Sequence, residues 1–359
     1  HVVFNGEIYN HTDLRRELEA ERHQLASHSD TEVLPHLYEE HGEQMLARLN
    51  GMFAFALQDT RSHRWLLARD RLGIKPLFYA HVDDRIYFGS EIKAILSDGH
   101  FEVDEEAVEL YLSLRYLPAP WTMFKGIRRL PPGKALIVEA DGQIQEWAYW
   151  EPWRSPRSGD DVSVDVAADQ IRELLSDSVR LRLMSDVPFG AFLSGGLDSS
   201  GVVALMAQHM DEPVQTFSIG FSEESRVDET THARAVADHC GTRHREVDCT
   251  AERVDLLPKL LHHFDEPFAD PIIVPTHQVS ELARKHVKVV LTGEGADELF
   301  GGYTRYVRDR SIQRMRILPA PLRLALAAAG RQAAPGHSLT RAMAMSAQSA
   351  PGRALSWVS

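Results

Sequence analysis

Short apolar runs separated by turn residues dominate the first 150 residues. Such runs, rich in β-branched and aromatic residues, predict strands. They are Met52–Leu57, Trp65–Arg69, Leu77–Ala80, Ile86–Gly89 and Ala135–Glu139, and the opening residues also run as a strand. Helical periodicity interrupts the series near 13–21 and 31–40. Closely spaced strands with short turns predict antiparallel sheets with helices outside them, in an αββα arrangement.

The pattern changes after a polar stretch at 154–161, which we interpret as a linker. Beyond it, strand patterns alternate with helical patterns near 199–210, 228–240, 252–263 and 275–286. The strand patterns are Phe189–Leu193, Gln215–Ile219, His244–Val247 and Val287–Leu291. Alternation of this kind predicts βαβ units around a parallel sheet. The chain is therefore expected to hold an antiparallel domain at 1–153 and a Rossmann-like domain at 162–359.

Composition narrows the class of protein. The formal charge of −13, from 39 basic and 52 acidic residues, argues against a nucleic-acid-binding role. The two cysteines, Cys240 and Cys249, lack metal-binding spacing and suggest a reduced, cytoplasmic protein. No apolar run reaches membrane-spanning length, so we expect no membrane partner. The 18 histidines show no zinc-site spacing, and most of them are expected at the surface or in caps.

A strand, a glycine loop and a helix follow one another between Pro188 and Met210. Gly195 and Gly196 allow backbone N–H groups to converge on an anion, and a helix N-terminus favours phosphate. Ser199 or Ser200 is placed to cap the helix. Asp198 stands where phosphate loops of the Walker type have lysine, and its carboxylate reaches polyphosphate only through a bridging Mg²⁺. An ordinary strand-to-helix turn remains the alternative.

A second unusual loop follows the last predicted strand, with sequence TGEGADE at 292–298. Glu294, Asp297 and Glu298 place three carboxylates close together beside glycines. Carboxylates in this setting suit metal ions or a cationic amine. The alternative is that they are acids at a helix N-terminus, favoured by the helix dipole alone.

The sequence SGGLDSS at 194–200 resembles the pyrophosphate loop of N-type ATP pyrophosphatases. GEGADELFGGY at 293–303 resembles a signature of the glutamine-hydrolysing asparagine synthetase family. The resemblance implies catalytic roles for Asp198 and Glu294, and Mg²⁺ binding by Asp198 and Asp297. It also implies an ATP and pyrophosphate site formed by Leu193, Ser194, Gly195, Gly196, Asp198, Ser199, Ser200, Ile219, Thr292 and Gly293. Leu193 and Ile219 would line the adenine pocket, with a plain core position as the alternative for either.

The N-terminal half carries a second resemblance, because NGEIYN at 5–10 is similar to an element of class II glutamine amidotransferases. The resemblance implies an oxyanion hole from Asn5 and Gly6, a glutamine site that includes Glu7, and binding of the glutamine amino group by Asp30. Asp30 could equally cap the following helix. The motifs at 69–79 and 88–93 complete the match, and the first is expected to support the local structure rather than take part in the chemistry.

Two departures from the family pattern accompany these matches. Class II amidotransferases use an N-terminal cysteine nucleophile, whereas this chain has no cysteine before Cys240. A late lysine near the adenylate site is also missing. We therefore expect a fragment of a longer enzyme that lacks glutaminase activity as given. The stretch DEPFADP at 265–271 should line the acceptor pocket, but it departs from the run that other members carry there.

The resemblance implies a ligase that uses ATP, aspartate and glutamine. Ammonia from glutamine would attack a β-aspartyl-adenylate, giving asparagine, AMP and pyrophosphate. Alternatives are a related amide-forming ligase acting on a sugar or peptide precursor, a β-lactam-forming synthetase, a non-catalytic remnant that binds glutamine or nucleotide, and an RNA-modifying adenylator. The resemblance leaves a homodimer possible.

Overall fold

A computed structural model describes residues 1–82, 85–152, 162–221, 228–249, 255–333, 342, 345–346 and 348–349. The linker predicted at 154–161 lies outside these residues. The strands are β1 Val2–Ile8, β2 Gly51–Asp59, β3 Arg64–Arg69, β4 Phe78–Val82, β5 Arg85–Gly89, β6 Ile127–Arg129, β7 Lys134–Val138, β8 Ile144–Ala148, β9 Phe189–Phe192, β10 Gln215–Gly220, β11 Arg243–Asp248 and β12 Val289–Leu291.

The helices include most of those predicted and several that were not. They are α1 His11–Ala20, α2 Val33–His41, α3 Met45–Arg48, α4 Ile92–Leu96, α5 Glu105–Leu114, α6 Val164–Arg182, α7 Leu197–His209, α8 Thr230–Cys240, α9 Leu257–Phe264, α10 Ile273–Arg284, α11 Ala296–Phe300, α12 Thr304–Arg314 and α13 Ala320–Ala333. Among the described residues, no helix combines the length and apolar character needed to cross a bilayer.

The chain divides into two units by its internal contacts. The first comprises His1–Glu109, Leu117–Asp186 and Arg253–Phe268, and the second comprises Leu110–Tyr116, Val187–Glu252 and Ala269–Ser359. Helix α9 and the acidic residues that follow it therefore group with the first unit.

The first unit stacks helices and two antiparallel sheets in four layers. A five-stranded sheet has the order β1-β2-β3-β7-β8, and a three-stranded sheet has the order β5-β4-β6. Helices α1 and α2 cover one face of the larger sheet with residues such as Leu14 and Leu37. Its other face packs on the smaller sheet through residues such as Leu67 and Tyr79, and α4 packs on that sheet through Ile92. The predicted αββα arrangement is confirmed.

The second unit contains a four-stranded parallel sheet of order β11-β10-β9-β12. The chain runs outward from β9 through β10 to β11, and β12 returns to the opposite side of β9. Helix α10 packs on this sheet through Val279 and Ala283, against Phe217. The parallel sheet predicted from alternation is confirmed. Strand β12 is shorter than the predicted 287–291, because the Val287 N–H bonds to the Ala283 carbonyl at the end of α10.

Candidate nucleotide and glutamine sites

The strand order of the second unit reverses between β9 and β12. In open parallel sheets, ligands bind in the crevice at the carboxyl ends of the two strands that flank such a switch point. The loop Ser194–Gly196 follows β9, and the loop Thr292–Gly295 follows β12, with Leu291 paired to Ala191 across the two strands. Both loops singled out in the sequence therefore emerge side by side. We call these loops and the first turn of α7 the switch-point cradle.

Position 195 requires glycine for two reasons, its backbone conformation and the lack of space for a side chain. Its φ of +81° lies in the left-handed region, and a Cβ there would lie 2.5 Å from the Ala233 nitrogen of α8. This close approach turns the chain sharply, so that α7 begins at Leu197 with Gly196 as its cap residue. The first N–H groups of a helix lack intrahelical acceptors, so this end presents donors to an anion.

Ser199 organises the loop from inside the helix. Its Oγ accepts the Ser194 N–H at 3.2 Å, lies 3.0 Å from the Ser194 Oγ and bonds to the Gly196 carbonyl. The prediction that Ser199 or Ser200 caps α7 is wrong. The helix starts two residues before Ser199, because Gly196 takes the cap position without a side-chain cap bond. Within the described residues, the buried Ser200 Oγ has no hydrogen-bond partner.

Gly293 brings the second loop against the start of α7. A Cβ at this position would lie 2.8 Å from the Ser199 nitrogen and 2.9 Å from the Asp198 Cβ. Any side chain would force the two loops apart, so only glycine permits this approach. Gly293 and Asp198 are thus neighbours, although 95 residues separate them in the chain (293 − 198).

The three acids of the second loop differ in their surroundings. Glu298 accepts a hydrogen bond from the Tyr303 hydroxyl, which lowers the pKa of that carboxyl. Glu298 also lies in the first turn of α11, so the alternative of an acid at a helix N-terminus fits this residue. The Asp297 carboxylate lies over Gly302, whose missing side chain makes room for it. Glu294 is exposed beside Gly293.

The two adenine-pocket candidates lie at the ends of adjacent strands. Leu193 is only 1% exposed, and its N–H bonds to the Phe217 carbonyl at 2.9 Å. Ile219 is partly buried and packs against the cluster that includes Phe217 and Val279. Both positions fit the core alternative, and an adenine contact remains a prediction.

In the first unit, β1 forms the edge of the larger sheet. Its register pairs Gly6 with Phe53, and a Cβ on Gly6 would lie 2.1 Å from the Met52 carbonyl oxygen. The Tyr9 N–H bonds to Asn50, so the odd-numbered residues of β1 bond to β2. The N–H groups of Gly6 and Ile8 consequently point to the outer edge of β1.

Asp30 lies at this outer edge. Its Oδ2 accepts the Ile8 N–H at 2.9 Å. Helix α2 begins at Val33 with Glu32 as its cap residue and no side-chain cap bond, so Asp30 is not the cap. Burial raises the pKa of Glu7, and the nearby Asp30 carboxylate adds to the effect. Glu7 and Asp30 thus lie close together beside the edge that carries Gly6.

Asn5 points to the sheet face opposite α1 and α2. Its amide nitrogen donates to the Ser90 Oγ at 3.1 Å, which uses one of its two N–H groups. Ser90 and Lys75, whose charge opposes the rise in the Glu7 pKa, were not identified in the sequence. Ser90 lies in the matched stretch 88–93, and Lys75 lies in the matched stretch 69–79. These matches were the only sequence signal for a role of either residue.

Arg69 and Asp70 hold the segment that carries Lys75. The buried Arg69 guanidinium donates to three carbonyls, those of Gly73, Lys75 and Leu130, each at 2.7 Å. Burial lowers the pKa of Arg69 to about 10. The Asp70 carboxylate accepts four backbone N–H groups. These bonds support the expected structural role of the stretch.

The two acids that open the DEPFADP stretch, Asp265 and Glu266, are paired with other residues of the first unit. Asp265 forms an ion pair with Lys93 at 2.7 Å. Glu266 accepts the Met123 N–H at 2.9 Å and pairs with Arg129. Burial raises the pKa of Glu266, and Arg129 opposes that rise. Lys93 and Arg129 already satisfy these carboxylates, so an acceptor role for the stretch remains a prediction.

Two family models match the chain in consecutive segments. The asparagine synthase model matches residues 170–357, and the glutamine amidotransferase domain model matches residues 1–150. The chain belongs to the asparagine synthase family. The family resemblance drawn from the loops of the second unit and the opening strand is therefore confirmed.

Relatives within the asparagine synthase family extend the match over most of this chain. Asparagine synthetase (glutamine-hydrolyzing) 1 of Bacillus subtilis is 38% identical over 324 residues, covering 90% of this chain and 50% of that protein. A putative asparagine synthetase of Mycobacterium tuberculosis is 42% identical, with the same coverage. A second putative one, from Methanocaldococcus jannaschii, is 38% identical and is covered to 62%. The chain thus spans about half to three-fifths of these relatives' length.

Proposed function

We propose that the protein carrying this chain is an ATP-dependent, glutamine-using ligase that makes asparagine from aspartate. The observation that carries the proposal is the switch-point cradle. There, Gly195 and Gly293 bring two loops and the N-terminus of α7 together. The names of the relatives support glutamine as nitrogen donor and asparagine as product.

The cradle suits the phosphates of ATP. Unpaired N–H groups in the first turn of α7 would hold phosphate oxygens, because they combine hydrogen bonding with the positive end of the helix dipole. The buried, unpartnered Ser200 hydroxyl would supply another donor. Ser194 to Ser200, Thr292 and Gly293 would therefore line the polyphosphate, with Leu193 and Ile219 toward the adenine.

Mg²⁺ also suits the donor set. Asp198 and Asp297 offer carboxylate oxygens, which hard divalent cations prefer, and Asp198 lies in the first turn of α7. When bound, Mg²⁺ would neutralise charge that develops on pyrophosphate. Asp198 and Asp297 would hold it, and Glu294, exposed beside Gly293, would act near the reacting carboxylate.

The proposed chemistry has two transfers. A β-carboxylate oxygen of aspartate attacks the α-phosphorus of ATP, the new O–P bond forms, and pyrophosphate leaves. Ammonia then attacks the acyl carbon of the β-aspartyl-adenylate, and AMP leaves with the C–O bonding electrons while a proton is lost from nitrogen. The donors of α7 would stabilise charge on the departing pyrophosphate.

Ammonia would come from glutamine at the outer edge of β1. The Gly6 N–H and the second N–H of the Asn5 amide would stabilise the oxyanion that forms during hydrolysis of the glutamine amide. Asp30 would hold the glutamine amino group, with its carboxylate roughly two residues, or about 7 Å, along the strand from Gly6. Glu7 would complete the polar wall of this site.

Measuring AMP formation with candidate acceptors tests the proposed substrate. The complete protein, supplied with ATP and ammonia, should produce AMP faster with aspartate than with glutamate, sugar acids or short peptides. A site that pairs charged groups penalises a misplaced carboxylate strongly, so the preference should exceed about 100-fold. Stimulation by a sugar acid or peptide alone would instead identify a related ligase.

A further inference from the structure

A cluster of histidine and glutamate side chains joins the end of α1 to α2. His23 follows α1, while His36, Glu39 and Glu40 lie within α2. The Nδ1 atoms of His23 and His36 are 2.9 Å apart. The Glu39 Oε2 lies 4.0 Å from the His23 Nδ1 and 3.9 Å from the His36 Nδ1. Three potential ligand atoms therefore surround one point.

The hydrogen bond between His23 and Glu40 determines which ring nitrogen of His23 is available. The Nε2 of His23 lies 2.7 Å from the Glu40 Oε1. A carboxylate only accepts, so this contact places the proton on Nε2 and leaves a lone pair on Nδ1. Without metal, that lone pair accepts the proton of His36 Nδ1. Metal binding would displace this proton, leaving His36 protonated on Nε2 alone or releasing a proton to solvent. Metal-bound histidines commonly have this arrangement, in which a carboxylate orients the ring through its other nitrogen.

The geometry is close to that of a tetrahedral metal ion. Metal–nitrogen and metal–oxygen bonds of about 2.0–2.2 Å imply ligand atoms roughly 3.3 Å apart. The observed separations of 2.9, 3.9 and 4.0 Å lie on either side of that value. Small rotations of the side chains would therefore bring the three atoms to the spacing that a metal ion requires. The side chains of His23 and His36 are 12% and 22% exposed, whereas Glu39 is 56% exposed. A fourth position is thus open toward solvent.

The surrounding fold holds the two rings in place. The backbone N–H of His23 donates to the Leu18 carbonyl at 2.9 Å, just after the end of α1. His36 lies on α2 between the buried residues Leu34 and Leu37. The two rings meet edge to face, with centroids 5.0 Å apart. The ligands therefore lie on packed elements rather than on a free loop.

We propose that His23 Nδ1, His36 Nδ1 and a Glu39 oxygen form a binding site for a divalent transition-metal ion of the Zn²⁺ type, with Glu40 orienting His23. Imidazole with one carboxylate suits zinc, copper or nickel better than magnesium. The site lies in the helical layer of the first unit. It shares no residue with the Asp198 and Asp297 pair proposed for Mg²⁺.

A Zn²⁺ titration of the complete, chelator-stripped protein tests the proposal. Competition against a chromophoric chelator should show one high-affinity equivalent, and Co²⁺ should give the strong visible absorption of a tetrahedral site. His36→Ala and Glu39→Gln should each remove that equivalent. Glu40→Gln should keep the stoichiometry and weaken affinity about 10- to 100-fold. His28→Ala, at an exposed histidine outside the cluster, should match the unmodified protein.

Three results would overturn the proposal. The first is the absence of a stoichiometric Zn²⁺ site. The second is an unchanged site in Glu39→Gln, whose exposed side chain can be replaced without disturbing the core. The third is retention of zinc by His36→Ala with loss in Glu21→Gln. That result would put the metal at the opposite ring edge of His23, where Glu21 and Glu40 lie.

Discussion

Replacing Asp70 with asparagine should destabilise the first unit strongly, although the change is nearly isosteric. Asp70 is 1% exposed. One carboxylate oxygen accepts the N–H groups of Phe53 at 3.2 Å and Lys75 at 2.9 Å. The other accepts those of Leu72 at 3.1 Å and Ile74 at 3.0 Å. An asparagine keeps one oxygen, and its amino group must face two N–H donors.

The size of the destabilisation follows from the two hydrogen bonds that the lost oxygen accepted. A donor left without a partner costs about 1–3 kcal/mol when buried, so losing two such bonds in Asp70→Asn should lower the free energy of unfolding by about 2–6 kcal/mol. The segment that carries Lys75 should loosen as well. Because the charge of Lys75 opposes the rise in the Glu7 pKa, the glutamine site should be perturbed together with the fold.

Urea unfolding followed by tryptophan fluorescence measures the effect. Trp65 and Trp147 lie in the larger sheet, so their emission reports on the first unit. Asp141→Asn is the matched control, because Asp141 is exposed and accepts one turn N–H, from Gln143. We expect the control to change stability by less than about 0.5 kcal/mol. A loss below 1 kcal/mol for Asp70→Asn, or equal losses in both variants, would refute the reasoning.

Two further predictions concern the cradle and the loop before α2. Gly293→Ala should weaken ATP binding at least 10-fold, because the new Cβ would lie 2.8 Å from the Ser199 nitrogen. Gly201→Ala is the control, since a Cβ there meets open space, and it should leave ATP binding unchanged. Isothermal titration calorimetry measures both affinities. Hydrogen bonds from Ser27, chiefly its hydroxyl, lower the pKa of Glu32 to about 2. The stability contributed by Glu32 should therefore be complete above its ordinary value near 4.5 and be lost toward pH 2. A Ser27 amide resonance that titrates near pH 4.5 would contradict this.

Much of the fold could be read from apolar periodicity. The continuous apolar runs within residues 51–59 and 64–69 mark strands that are buried on both faces. The alternation of strand and helix patterns beyond residue 189 marks a parallel sheet. The two glycine loops could be placed together because the carboxyl ends of parallel strands share one edge. Sequence could not reveal that Gly293 touches the start of α7, since that contact depends on β12 pairing with β9.

Helix α6 and the histidine cluster show what sequence reasoning missed. Helix α6 places Ile171, Leu174, Leu175 and Val179 at helical spacing after a cap at Ser163, so its signal was present in the sequence and was overlooked. Much of this apolar face stays exposed, with Leu174 71% exposed. The expectation that most histidines lie at the surface or in caps has His23 and His36 as exceptions, because their side chains are only 12% and 22% exposed. They come together only because α1 packs on α2, and their separation of 13 residues matches no familiar metal-binding spacing.

The most direct test of the central claim is pyrophosphate release by the complete protein in which Asp198 is replaced with asparagine. Aspartate-dependent release should fall at least about 100-fold, because the carboxylate that would hold Mg²⁺ against the departing group is gone. Glutamine hydrolysis should persist, and Asp211→Asn, at an exposed position after α7, should behave as the unmodified protein. Release at the unmodified rate in Asp198→Asn would remove the switch-point cradle from the mechanism.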